Sequence, residues 1–234
     1  MELNLIEEYN MSYQKAYQLQ KELFALRKQD KINDTLFLTS HPHVITMGRS
    51  GSNNNLLINE ETLDKLNIEV INIERGGDVT YHGPGQIVGY PILDLNNFKR
   101  DLHYYVRKIE QIIIALLADY DINAERIKGL PGVWVANEKI AAIGIAARKW
   151  VTMHGFALNV NPDLSYFDYI IPCGITDKRV TSMEKISNKD LILEEVAQKL
   201  LIKFKQEFEF TKLKKQEVIN GSDNYDYSSK LVKG

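Results

Sequence analysis

Cysteine is almost missing from the sequence: the 234 residues contain one, Cys173. A single thiol can close no intramolecular disulfide and build no thiol-rich metal site, and it fits a reducing compartment. Charge of one sign is missing too. Lys and Arg total 29 against 31 Asp and Glu, so no surplus of cations exists to neutralise a phosphate backbone, and no nucleic-acid partner is expected. Long hydrophobic runs are also lacking. The longest, Ile112–Ala118 and Ile140–Ala147, fall far short of the ~20 residues that span a bilayer, and MELNLIEEYN carries acids where a signal peptide carries bases. A soluble, cytoplasmic protein without a membrane partner is therefore expected.

No internal repeat and no linker-like stretch divides the chain, and no G-x-x-x-x-G-K-[ST] phosphate loop occurs in it. What is present is ordinary for a folded domain: 44% apolar residues and 26% charged ones. Apolar spacing predicts an opening helix over Ser12–Gln29 with Ser12 as its N-cap, and a second long helix over Asp101–Tyr120. Short β-rich runs at Thr35–Leu38 and His43–Met47 lead into a flexible loop, followed by a short helix near Glu60–Leu66 and a strand at Ile68–Ile73. Further strands are expected at Gln86–Leu95, Gly132–Ala136, Lys139–Ala146 and Val151–Val160, the middle two forming a hairpin across Asn137-Glu138. After Asn161-Pro162 the chain reads as mostly irregular up to a closing helix at Leu191–Phe208. The expectation is one α/β domain with a mixed, largely antiparallel sheet flanked by helices.

Chemistry concentrates in few places. Arg75 to Gln86 holds four of the fourteen glycines in twelve residues, together with Asp78, Thr80, Tyr81 and His82. Such a loop is either a pair of tight turns or a place where backbone approaches a ligand, and its spacing is not that of a dinucleotide fingerprint. Cys173 stands between Pro172 and Gly174. A lone cysteine is commonly a small buried hydrophobe, but a thiol on a sharply turned backbone is exposed enough to attack, given a neighbour that takes its proton. The histidines are candidates for that neighbour, and so is Lys139 at the head of an apolar strand. Lys139 is otherwise a solvated turn residue. His82 and His154 both adjoin glycine, and His41-Pro42-His43 lacks a carboxylate near in sequence to complete a metal site.

Three motifs in order, R-G-G-x-x-T-x-H-G-P-G-Q from Arg75, K-I-x-x-I-G from Lys139 and P-C-G around Cys173, make the chain resemble the lipoyl(octanoyl) transferases over about residues 30 to 210. The resemblance implies the α/β fold shared with biotin and lipoate protein ligases. It also implies transfer of an octanoyl group from octanoyl-acyl carrier protein to a lysine of lipoyl domains or of the glycine cleavage H protein, through a cysteine thioester. By matching, Cys173 takes the nucleophile's position and Lys139 that of its activator. The substrate-binding positions fall on Arg75, Gly76, Gly77, Asp78, Val79, Thr80, Tyr81 and His82, on Ala142, Ile143 and Gly144, and on His154, Gly155, Phe156 and Ala157. No cofactor and no metal are implied, and a monomer is expected. The catalytic domain is set at residues 1–212, with 213–234 as a flexible tail. Family acceptors are generally acidic, and Lys128, Arg148, Lys149, Lys178 and Arg179 are expected near the site. The rival readings are an ATP-dependent lipoate or biotin ligase, which has no need of a cysteine, and a non-catalytic module that binds acylated domains.

Overall fold

Residues 1–171 and 179–216 are described by the computed structural model. Cys173 and the tail beyond residue 216 therefore lie outside the described residues.

The described strands are β1 (Glu2–Glu8), β2 (Asp34–Thr39), β3 (Val44–Met47), β4 (Glu69–Asn72), β5 (Val79–His82), β6 (Gln86–Ile92), β7 (Glu125–Ile127), β8 (Leu130–Val135), β9 (Glu138–Arg148), β10 (Val151–Asn159), β11 (Arg179–Val180) and β12 (Lys212–Gln216). The helices are α1 (Tyr13–Lys28), α2 (Glu60–Lys65), α3 (Leu102–Ala118), α4 (Met183–Ser187) and α5 (Leu193–Glu207). Among the described residues, β12-β1-β2-β6-β10-β9-β8-β7 form one mixed sheet with β11 also beside β9, and β4-β3-β5 form a second, three-stranded sheet. The pairs from β2 through β6, β10, β9 and β8 to β7 are antiparallel, whereas β1 is parallel to both β2 and β12.

Alternation in the strands separates two cores. Leu36 and Leu38 of β2 and Ile87 of β6 point to the side covered by α3 and α5, where Ile109, Ile112, Ile113, Leu116, Leu200 and Phe204 are buried. Phe37 of β2 and Val88 and Tyr90 of β6 point to the other side, against Ala16, Leu19 and Leu23 of α1. Helices on both faces thus fit a sheet that is apolar on both faces. Asp101 caps α3 by accepting the Tyr104 N–H at 3.0 Å. Ser12 does precede α1, but its side chain makes no capping bond, and Arg27 and Lys28 in the last turn face the carbonyl end of the dipole.

The opening element is β1, not the helix that apolar spacing puts first. Its partners lie about thirty and about two hundred residues onward, as in Leu3 opposite Asp34 and opposite Leu213, so no local hairpin marks it. β5 forms inside the glycine-rich stretch that reads as turns, and a helical turn at Leu164–Tyr169 with β11 and α4 fills much of the stretch read as irregular. β12 carries paired structure to Gln216, four residues past the boundary set for the domain.

Candidate active site

The antiparallel pair β9 and β10 forms the floor of a cavity of about 280 Å³. In register, Ala142 lies opposite Ala157, Ile143 opposite Phe156, and Gly144 opposite Gly155, so the floor is almost free of polar side chains. Gly155 carries no side chain because there is no space for one: a Cβ there would stand 2.0 Å from the Gly89 carbonyl oxygen of β6 and 2.7 Å from the Pro91 ring.

Opposite the floor, the wall is β5 and the turn before it, Arg75 to Asp78, held by polar groups. Arg75 is 9% exposed, and its Nη2 donates to the Thr46 carbonyl at 2.8 Å and the Thr46 hydroxyl at 3.1 Å. The Gly48, Arg49 and Ser50 amides donate to the carbonyls of Asp78, Arg75 and Gly77 at 2.9, 3.0 and 3.2 Å. The Asp78 carboxylate accepts from the Ser52 amide at 3.3 Å and from the Asn55 side chain. The Gly76 N–H donates to the Ile145 carbonyl at 3.0 Å and so ties this wall to the floor.

Histidines cluster where the floor meets α1. His41 bonds the Met11 carbonyl at 2.7 Å and the Tyr90 hydroxyl at 2.8 Å, and burial pushes its pKa down to about 4. His82 bonds the Gln86 side-chain oxygen at 3.2 Å, and burial holds it well below the ordinary histidine range, aided by His41 and Arg75. His154 sits at φ 61° with 2% exposure, and among the described residues neither ring nitrogen has a partner. Burial first, then Arg75 and Arg49, lower it to about 4, so its ring is neutral at neutral pH. His43 bonds the Tyr81 hydroxyl at 2.7 Å. The His41-Pro42-His43 pair thus serves two separate tyrosines, and among the described residues no group of three or more His, Cys, Asp or Glu has the arrangement of a metal site.

Every binding position singled out in the sequence, Arg75 to His82, Ala142 to Gly144 and His154 to Ala157, borders this one cavity, and so does Lys139. Lys139 heads β9, with its Nζ 4.8 Å from the centre of the Trp134 ring. The chain on either side of Cys173 also reaches the cavity: Phe167 and Val180 line it, Ile171 donates to the Asn55 carbonyl at 2.9 Å, and the Thr181 amide donates to the Lys139 carbonyl at 3.0 Å. Residue-by-residue reading overlooks Tyr13 from α1, Gln86, Val88 and Tyr90 from β6, and Asn159. The β6 residues recur at every second position, so the period of the strand carried that signal.

The cations expected near the site divide between the two ends of β9. Arg148 and Lys149 stand at the end away from Lys139, nine or more residues and on the order of 30 Å from it at strand rise, with Arg148 three residues past Ile145 of the cavity lining. Arg179 lies opposite Glu138, next to Lys139, and Lys128 is in the turn leading to Pro131, which lines the cavity. Lys178 lies outside the described residues.

Residues 12–205 match the model of the lipoyl protein ligase A/B catalytic domain. The chain belongs to that family. Among relatives in it, a protein of Solibacter usitatus named octanoyltransferase is 52% identical over 203 residues, covering 87% of this chain and 91% of its own. An octanoyltransferase of Caldicellulosiruptor bescii is 48% identical over 200 residues, covering 85% and 88%. The fold of the family is also seen in lipoate-protein ligase A bound with ATP, at TM-score 0.73 and 16% identity over 94% of this chain and 90% of that one. A bipartite lipoate protein ligase of Thermoplasma acidophilum gives TM-score 0.70 and 17% identity, covering 94% and 87%. At such identities these two structures share the fold.

Proposed function

We propose a two-step route for the octanoyl transfer that this acyltransferase carries out in protein lipoylation. Its acceptors are lipoyl domains, and the donor we assign is octanoyl-acyl carrier protein, with the glycine cleavage H protein among the acceptors. In the first step the Cys173 thiolate attacks the donor thioester carbonyl, the bond to the pantetheine sulfur breaks, and Lys139 gives that sulfur its proton. In the second, the acceptor lysine amine attacks the Cys173 thioester, the bond to the Cys173 sulfur breaks, and the amine proton passes to Lys139. The product amide is more stable than the thioester, so no nucleotide is needed to drive the transfer.

The observation that carries this reading is the cavity. At about 280 Å³ it lies at the lower edge of small-molecule pockets, which run about 300 to 1,000 Å³, and its floor is the apolar strip Ala142–Ile145 with Gly155–Ala157. A strip of that kind suits an acyl chain, worth about 0.8 kcal/mol for each methylene buried. Lys139 at one end of β9 is an ionisable group next to that strip, which Arg75 and His154 also border. Arg75 to His82, Ala142 to Gly144 and His154 to Ala157 are the substrate-binding set on this reading.

Intact mass after mixing with octanoyl-acyl carrier protein tests it: an added octanoyl group is expected on the parent enzyme and none on Cys173→Ala. An adduct surviving in Cys173→Ala would end the covalent route. Octanoylation of an apo lipoyl domain is expected from the carrier-protein thioester without nucleotide or magnesium. Reaction from free octanoate plus ATP alone would make the chain a ligase.

A further inference from the structure

Lys139 is held by its surroundings in an unusual way. Between β8 and β9 the register shifts by one: Val133 stands opposite Ala141, but Trp134 stands opposite Lys139, where regular pairing would give Ile140. The extra residue is a bulge in β9, and bulges re-aim a side chain. Directly opposed residues project from the same face of a sheet, so the bulge lays the Lys139 side chain across the Trp134 ring. The Nζ to ring-centre distance, 4.8 Å, is inside the ~6 Å range of a cation–π contact.

The ring is itself fixed. Trp134 is 1% exposed, and its indole N–H donates to the Leu130 carbonyl at 3.2 Å. Beside it, Gly132 at φ 126° donates its amide to the Glu110 carboxylate of α3 at 3.2 Å, and Glu110 pairs with Arg126 at 3.0 Å. A Cβ on Gly132 would meet the Ala141 carbonyl at 2.6 Å and the Lys139 Cε at 3.5 Å, so the lysine stem runs closely past the bare Cα. The face of a buried indole attracts an ammonium and does little for a neutral amine.

We propose that Trp134 is a positioning residue for Lys139: bulge, Gly132 and indole face together form a shelf that favours the ammonium form and fixes where it stands. This rests on the reading of Lys139 as the proton carrier. When Lys139 accepts the thiol proton, the shelf favours the resulting ammonium-thiolate pair over amine and thiol.

The test uses the full chain with Trp150→Phe, which leaves Trp134 as the single tryptophan; Trp150 lies in the β9–β10 turn, away from Lys139. Trp134 emission is expected to change across an alkaline titration, and Lys139→Met is expected to abolish that change. Trp134→Leu should lower kcat/KM about tenfold at neutral pH and move the alkaline limb of its profile to lower pH, since the ammonium has lost its partner. Trp134→Phe, which keeps a ring, should recover part of both. Emission indifferent to Lys139→Met overturns the shelf, even if Trp134→Leu fails to fold. Equal losses in Trp134→Leu and Trp134→Phe with no shift of the limb would make Trp134 core packing alone. Failure of the reading beneath looks different: Lys139→Met would transfer octanoyl at the parent rate while the emission change still vanished.

Discussion

The floor and the wall of the cavity are built by opposite means. The floor, β9 and β10, is shaped by removing side chains: Gly144 faces Gly155, Ala142 faces Ala157, and each residue is set by a partner on the adjoining strand of one hairpin. The wall, Arg75 to His82, is shaped by adding polar groups: a buried guanidinium, a carboxylate and three backbone amides fix a glycine-rich turn that has little apolar surface of its own. A floor made by subtraction fails when anything is added, and a wall made by bonds fails when a partner is taken away.

The sharpest way to break the floor is therefore to add one methyl group. Gly155→Ala places a Cβ 2.0 Å from the Gly89 carbonyl oxygen, a contact only strand separation can relieve. We expect a loss of about 3 kcal/mol or more, a fall in Tm of roughly 6 to 12 °C and loss of transfer. Thermal denaturation checks it, and an unchanged Tm would mean that the strands have slack.

The wall should break less. Arg75→Lys keeps the charge but cannot reproduce the forked contact of Nη2 with the Thr46 carbonyl and hydroxyl. A cost of about 2 kcal/mol in stability and a drop of about tenfold in kcat/KM are expected, readable by denaturant unfolding and steady-state assay. If Arg75→Lys proved more damaging than Gly155→Ala, the wall rather than the floor would be the stiffer part.

Where floor and wall meet, His154 gives the comparison a pH axis. Its pKa is lowered to about 4 in the folded protein, against about 6.5 for a free histidine, so between those values the unfolded chain binds the extra proton. Stability present above pH 6.5 is therefore lost as pH falls toward 4, by about 3 kcal/mol at most from this one group. His41, also lowered to about 4, adds to the same slope. Asn tolerates the left-handed backbone at φ 61°. Tm measured against pH should thus fall less steeply for His154→Asn than for the parent, and parallel curves would show that His154 is reached by water.

The same contrast explains which elements are legible in the amino-acid sequence. α3 and the β8, β9 and β10 strands are legible because their patterns close locally, by a 3.6-residue stripe or across a short turn. β1 and β12 are not, since each is defined by a parallel partner far along the chain. β5 is hidden by the glycines around it, and the wall's function as a wall depends on Thr46, Gly48 and Asn55, which no spacing links to Arg75. The binding positions came from motif resemblance, not from pattern. Trp134 gave no signal because a buried tryptophan on a strand is ordinary, and only the one-residue register shift turns it toward Lys139.

The smallest effect should come from charges outside both floor and wall. Lipoyl domains that are acidic would be steered by cations near the mouth of the site, and exposed charges change encounter rates modestly and are screened by salt. Arg179, opposite Glu138, and Lys128, in the turn before Pro131, are placed for this, while Arg148 and Lys149 lie at the other end of β9. Arg179→Ala or Lys128→Ala should lower kcat/KM for the acceptor domain about two- to threefold at low ionic strength, with the difference shrinking by 0.5 M salt, where the screening length is only a few ångströms. Arg148→Ala and Lys149→Ala should leave it unchanged. A larger effect from the distant pair would mean that the acceptor spans the whole length of β9, so that docking surface and chemistry are some 30 Å apart at strand rise.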